Sequence, residues 1–300
     1  MLLTIADGEG ASAVIAPALG AWLLRYTRQL AGRNEIDALH YTPEVLDRYP
    51  REIYAGNPLL FPLASFNHLP GHDHHYEWQG QRFPMPQHGF ARRMPWRVVE
   101  QAPDAVAMEL ADTDATRTQY PFQFVLRLTY RVERGRLLWK LAVTNRSRTP
   151  MPFSTGFHPY FAVPLSSAGS RAGCFVEVPE ARRFTIHGRG EHFSAKPFPA
   201  QNWSVDEDVS TALFLGDLHK RELILADPAS GLEVALNWEG APNHRFAAFW
   251  SRSTDAPFYC LEPWTALSNV FTRANERELV VLAPYQTFEA EFWMELREIE

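Results

Sequence analysis

Strict alternation of apolar and polar residues constrains this chain more than any other feature. Phe124, Leu126, Leu128, Tyr130 and Val132 fall on one side of an extended segment, and Arg127, Thr129, Arg131 and Glu133 on the other. After Arg134-Gly135 the pattern restarts with Leu137, Trp139, Leu141 and Val143. Period two is the spacing of a strand with one buried face, and two such runs around a short glycine turn predict a hairpin. A second hairpin is predicted between residues 222–226 and 232–238 across DPASG. A third pairs residues 278–282 with 287–296 across Ala-Pro-Tyr-Gln. Helical signal is confined to residues 43–49, where Pro50 ends it. Many short strands, close-set turn residues and 23 prolines predict an all-β fold, a large antiparallel sandwich or barrel with few short helices. The strand spacing shows no break, so residues 1–300 are expected to form one domain.

Composition narrows the function. The formal net charge is −6, with lysines and arginines scattered rather than massed, which argues against a nucleic-acid partner. The apolar run from residue 11 to 24 is broken by Pro17 and Gly20, and no basic segment opens the chain. Neither a membrane span nor a signal peptide is expected. Two cysteines, Cys174 and Cys260, read as reduced thiols of a cytoplasmic protein. Aromatic residues make up 13%, including nine Trp. Such rings fill β-rich cores, and they also stack on the apolar faces of sugar rings.

Two segments carry chemistry in the same grammar. In STGFHPYF, a strand reading puts Ser154, Gly156, His158 and Tyr160 on one face and Thr155, Phe157, Pro159 and Phe161 on the other. Pro159 biases His158 to an extended backbone, and Gly156 leaves room for a close approach. In PFYCLEPW, Glu262 is the only charge of an apolar strand and shares a face with Phe258, Cys260 and Trp264. A carboxylate there must be paired, hydrogen-bonded or at a wetted pocket edge. Desolvation would raise its pKa, as suits a general base near neutrality. A third segment, QHGFARRMPW, offers His88 and Arg92.

With GNPLLFP (56–62) these motifs resemble, in order, those of the aldose 1-epimerase (galactose mutarotase-like) family, especially its bacterial branch with hexose-6-phosphate epimerase relatives. GASAVIAPALGAWLLRY also resembles the family's opening strands. The resemblance implies a β-sandwich, a sugar held on one sheet face, and no cofactor. It implies Glu262 as base, His158 as acid and His88 as a second histidine near the ring oxygen. It further implies sugar contacts from Arg92, Tyr160 and Trp264. Where many relatives carry an arginine, this chain reads Tyr54-Ala55-Gly56-Asn57 and Phe66-Asn67-His68, so Asn57 and Asn67 are candidate contacts. Asp217 in LFLGDLHK is the nearest candidate for the family's acidic sugar ligand. The implied protein is an aldose 1-epimerase, monomer or homodimer. The alternatives are a carbohydrate-binding module without catalysis and an epimerase of hexose 6-phosphates.

Two further features read as structural. His72, His74 and His75 are close enough for zinc but lack a paired cysteine, so a solvated loop at the pocket rim is expected and no metal. Cys260 reads as a small core residue.

Overall fold

In a computed structural model, which describes residues 1–273 and 278–299, the alternating segments become strands of two large antiparallel sheets. The nine-stranded sheet is built on the hairpin of Phe124–Glu133 and Arg136–Asn145, whose register closes at Glu133 opposite Arg136. Arg134 and Gly135 take φ of 51° and 78°, the backbone a two-residue turn between right-twisted strands requires. Glu222–Asp227 and Leu232–Asn237 pair as the second hairpin. The short helix Glu44–Arg48 lies inside the predicted stretch. The apolar run becomes two strands, Ala11–Ala16 and Trp22–Gln29, around a 3-10 turn at Pro17–Leu19.

The third predicted hairpin does not form. Thr287–Glu298 is hydrogen-bonded to Arg136–Asn145 along one edge and to Leu232–Asn237 along the other. Val280–Leu282 pairs with Met151–Phe153 instead.

The eight-stranded sheet positions the site. Its strand Phe258–Trp264 runs between Phe246–Trp250 and the segments Gly156–Phe157 and Tyr160–Ala162. Tyr259 and Leu261 point into the core shared with the nine-stranded sheet, as do Phe157 and Phe161. Phe157 contacts Trp139 at 5.6 Å and Phe292 at 4.9 Å between ring centroids, so its ring bridges the two sheets. Burying one such side chain contributes about 1.5–3 kcal/mol. These inward residues therefore fix the register, and with it the outward row of Phe258, Cys260, Glu262 and Trp264.

Candidate active site

Register brings Glu262 and His158 together. Gly156 pairs with Trp264 and Tyr160 with Cys260, so the residues midway, His158 and Glu262, face each other. The ladder lapses between those pairs. Pro159 has no N–H to give, the His158 N–H turns to the Pro58 carbonyl at 3.1 Å, and the Tyr160 N–H turns to Gly56 at 2.8 Å. This break frees the imidazole to stand over the sheet face. Its Nε2 lies 3.3 Å from Glu262 Oε2, ion-pair range without hydrogen-bond alignment. The ring stacks on Tyr160 at 4.5 Å with 6° between planes, and the Tyr160 hydroxyl is 3.4 Å from Nε2.

Both groups are buried, Glu262 at 1% and His158 at 5% exposure. Burial pushes the Glu262 carboxyl well above the usual carboxylate range, against the opposing pull of the Trp264 indole and the Arg92 charge. Burial, then the Arg92 charge, holds His158 well below the ordinary histidine value. The carboxylic acid and the neutral imidazole are thus both favoured over their charged forms.

His88 completes the group, its ring 5.4 Å from His158 and 5.8 Å from Trp264. Ser65 clamps it twice. The Ser65 N–H donates to Nδ1 at 3.0 Å, and the His88 N–H donates to the Ser65 carbonyl at 2.6 Å. With Nδ1 accepting, a neutral ring carries its proton on Nε2. Burial, the Arg92 charge and His158 all hold the His88 pKa well below its ordinary value.

These three residues line a cavity of about 190 Å³ with Trp264, Trp250, Phe214 and Ile186 as apolar walls. Ser65, Ser210, Thr211 and Ser268 add serine and threonine side chains to the wall. Aromatic faces, a few polar groups and an acid–base pair match what a small polyhydroxylated ring needs. A sequence model of the aldose 1-epimerase family matches residues 1–278. The chain belongs to the aldose 1-epimerase family. It is 27% identical over 262 residues to the chromosomal protein LacX of Lactococcus lactis subsp. lactis, covering 82% of this chain and 85% of that protein. A galactose mutarotase related enzyme from Lactobacillus acidophilus superposes with a TM-score of 0.80 at 22% identity, over 100% of both chains. A galactose mutarotase-like protein from Lactobacillus casei superposes at 0.78 with 23% identity, over 99% of this chain and 100% of that one. The two structures share the fold.

Within this epimerase-family fold the remaining predicted contacts separate. Trp264 is on the cavity wall, and Tyr160 sits behind His158. Arg92 is buried beneath the site and is not on the wall. Its Nη2 donates to the Gln87 carbonyl at 3.1 Å, its Nε has no partner among the described residues, and burial lowers its pKa to about 10. Asn57 is fully buried off the wall, with both side-chain polar atoms unpartnered. Asn67 lines an adjoining cavity of about 320 Å³ with His74, Gln87 and Arg189. Asp217 is not brought to the site. It follows Gly216 at the end of Leu213–Gly216, at φ 52°, and is exposed. The strand presents Phe214 to the cavity instead. Trp250 and Phe214 are absent from the sequence reading because sheet order, not local pattern, delivers them, and the lining serines and threonine come from turns outside the strands.

The expected solvated loop is instead two short hairpins, His68–Leu69 with His72–Asp73 and His75–Trp78 with Gln81–Pro84, which put His72 and His75 on strands and His74 on the wall of the cavity that Asn67 lines. Arg82 donates to His72 Nε2 at 2.6 Å, His75 Nδ1 donates to the Asp73 carbonyl at 2.7 Å, and Asp73 bridges His68 and Arg189. Cys174 and Cys260 are both free and buried. Among the described residues no helix is long and apolar enough to cross a membrane.

Proposed function

We propose that this protein is an aldose 1-epimerase, a cytoplasmic isomerase of one domain that interconverts the α and β anomers of an uncharged aldose. The observation that carries the reading is the His158–Glu262 pair, 3.3 Å apart on the wall of a cavity sized for a single sugar ring. The anomeric hydroxyl and the ring oxygen are bonded to the same carbon. The base for one and the acid for the other must therefore stand side by side, and these do.

In the forward direction the Glu262 carboxylate takes the proton of the C1 hydroxyl while the His158 imidazolium protonates the ring oxygen. The C1–O bond of the ring breaks, leaving an open-chain aldehyde, a carboxylic acid and a neutral imidazole. After rotation about C1–C2, Glu262 returns its proton to the aldehyde oxygen. His158 recovers the other as the ring closes on the opposite face. The neutral pair that burial favours is the protonation state from which closure proceeds.

Among the described residues, the lining of the cavity includes no lysine or arginine, which supports a neutral sugar over a hexose 6-phosphate. Polarimetry of freshly dissolved α-glucose or α-galactose tests the proposal. Wild type is expected to accelerate mutarotation, and Glu262→Gln to lower kcat by about 10²–10⁴-fold. A variant as fast as wild type would refute the base assignment. Absence of catalysis on every aldose would leave a binding module.

A further inference from the structure

Anomerisation uses His158 and Glu262 but gives Cys260 no task. Cys260 Sγ, an imidazole nitrogen of His158 and a carboxylate oxygen of Glu262 lie within 4.8 Å of one another, and all three residues are buried. The grouping follows from the strand itself. Cys260 and Glu262 alternate to the same outward face, and the pairing of Tyr160 with Cys260 sets His158 two residues along beside them. Among the described residues, Glu262 Oε2 and His158 Nδ1 have no hydrogen-bond partner. A buried carboxylate oxygen left this way is open to a cation.

We propose that this pocket is also a binding site for a thiophilic divalent cation, of which Zn²⁺ is the type. Cys260, His158 and Glu262 would serve as ligands, and the ion and the sugar would exclude each other. One thiolate, one imidazole and one carboxylate are the ligand types zinc takes, with a fourth position left for water. Mg²⁺ and Ca²⁺ need more oxygen ligands than the site supplies. On binding, the Cys260 thiol and the Glu262 carboxylic acid each give a proton to solvent, and thiolate and carboxylate together balance the charge of the ion. His158 Nδ1 lacks the carboxylate or carbonyl that orients histidine in resident zinc sites, a difference worth about 10–100-fold in affinity. The site is therefore a reversible inhibitory one.

Titration of the full chain with Co²⁺, read by absorbance, tests this without reference to catalysis. Wild type is expected to develop a near-ultraviolet thiolate-to-cobalt charge-transfer band that saturates at about one ion per chain and is abolished by Zn²⁺. The band is expected to vanish in Cys260→Ser. It should persist in Cys174→Ser and in the double variant His72→Ala/His75→Ala, which removes the loop histidines whose rings lie 5.8 Å apart. No band in wild type overturns the proposal and needs no variant to fold. A band kept in Cys260→Ser, or lost in either control, overturns it too, because the ligands would then lie elsewhere. Weakening of the band by saturating aldose supports the exclusion, and co-binding overturns it. If no sugar is turned over, the proposed function fails while the band still decides the metal site.

Discussion

His88 and Ser65 both sit at positive φ, 63° and 66°, and exchange two hydrogen bonds. Non-glycine residues in the left-handed region need support, and here the reciprocal bonds supply it. The arrangement fixes His88 as a neutral ring with an Nε2 donor, distinct from the acid–base role proposed for His158. Asparagine separates the two roles, because it tolerates positive φ and its Oδ1 can take the Ser65 N–H in place of Nδ1. We predict that His88→Asn loses only the Nε2 hydrogen bond to sugar, about 1 kcal/mol, or roughly fivefold in kcat/KM. Steady-state polarimetry against Glu262→Gln checks this. A loss as large as that of the glutamate variant would place His88 in the proton transfer itself.

At the scale of elements, Gly156 links the two segments that carry chemistry. A Cβ there would lie 2.5 Å from Trp264 Cδ1 and 2.7 Å from the Pro263 carbonyl oxygen, so the space glycine leaves is filled by the indole that walls the cavity. The backbone oxygen cannot swing aside as a flexible side chain would. Gly156→Ala is therefore expected to cost about 1–3 kcal/mol and to displace Trp264. A lower Tm with a shifted tryptophan emission would bear this out, and an unchanged Tm would contradict it. The faces of such strands were legible in sequence because period two is local. Thr155, Phe157 and Phe161 read as buried and are, and Glu262 shares its outward row as the alternation requires. Neighbours across a sheet are not local. Residues 287–296 alternate well and follow the apolar stretch 279–282 across a short turn, yet the final strand fills the gap between Arg136–Asn145 and Leu232–Asn237, which no hairpin signal records. The same limit hid Trp250 and Phe214 from sequence reading and made exposed Asp217 a candidate. The family motifs brought out Glu262 on its strand and His158 in the ladder break beside it, the two residues the register sets face to face.

Across the whole molecule, the interior holds histidines as neutral groups. His88, His158 and His244 are all buried with pKa values held below the ordinary range. His244 has no part in the site. Its ring packs edge-on against Phe292 at 4.9 Å, both nitrogens lack partners among the described residues, and burial, aided by the Arg221 charge, lowers its pKa to about 3. A histidine with a depressed folded pKa contributes stability that is present above its unfolded pKa near 6.5 and lost as pH falls below it. The unfolded chain gains the proton first, at about 1.4 kcal/mol per pH unit until the folded ring protonates near 3. The loss from His244 alone is on the order of 3 kcal/mol by about pH 4. His88 and His158 act in the same direction, whereas the raised Glu262 acts against them, favouring the fold at low pH. Replacing His244 with leucine removes one titration and keeps the apolar contacts with Phe292. Urea midpoints at neutral pH and near pH 4 should then fall less in His244→Leu than in wild type. Parallel losses in the two proteins would show that the acid sensitivity does not reside in this core ring.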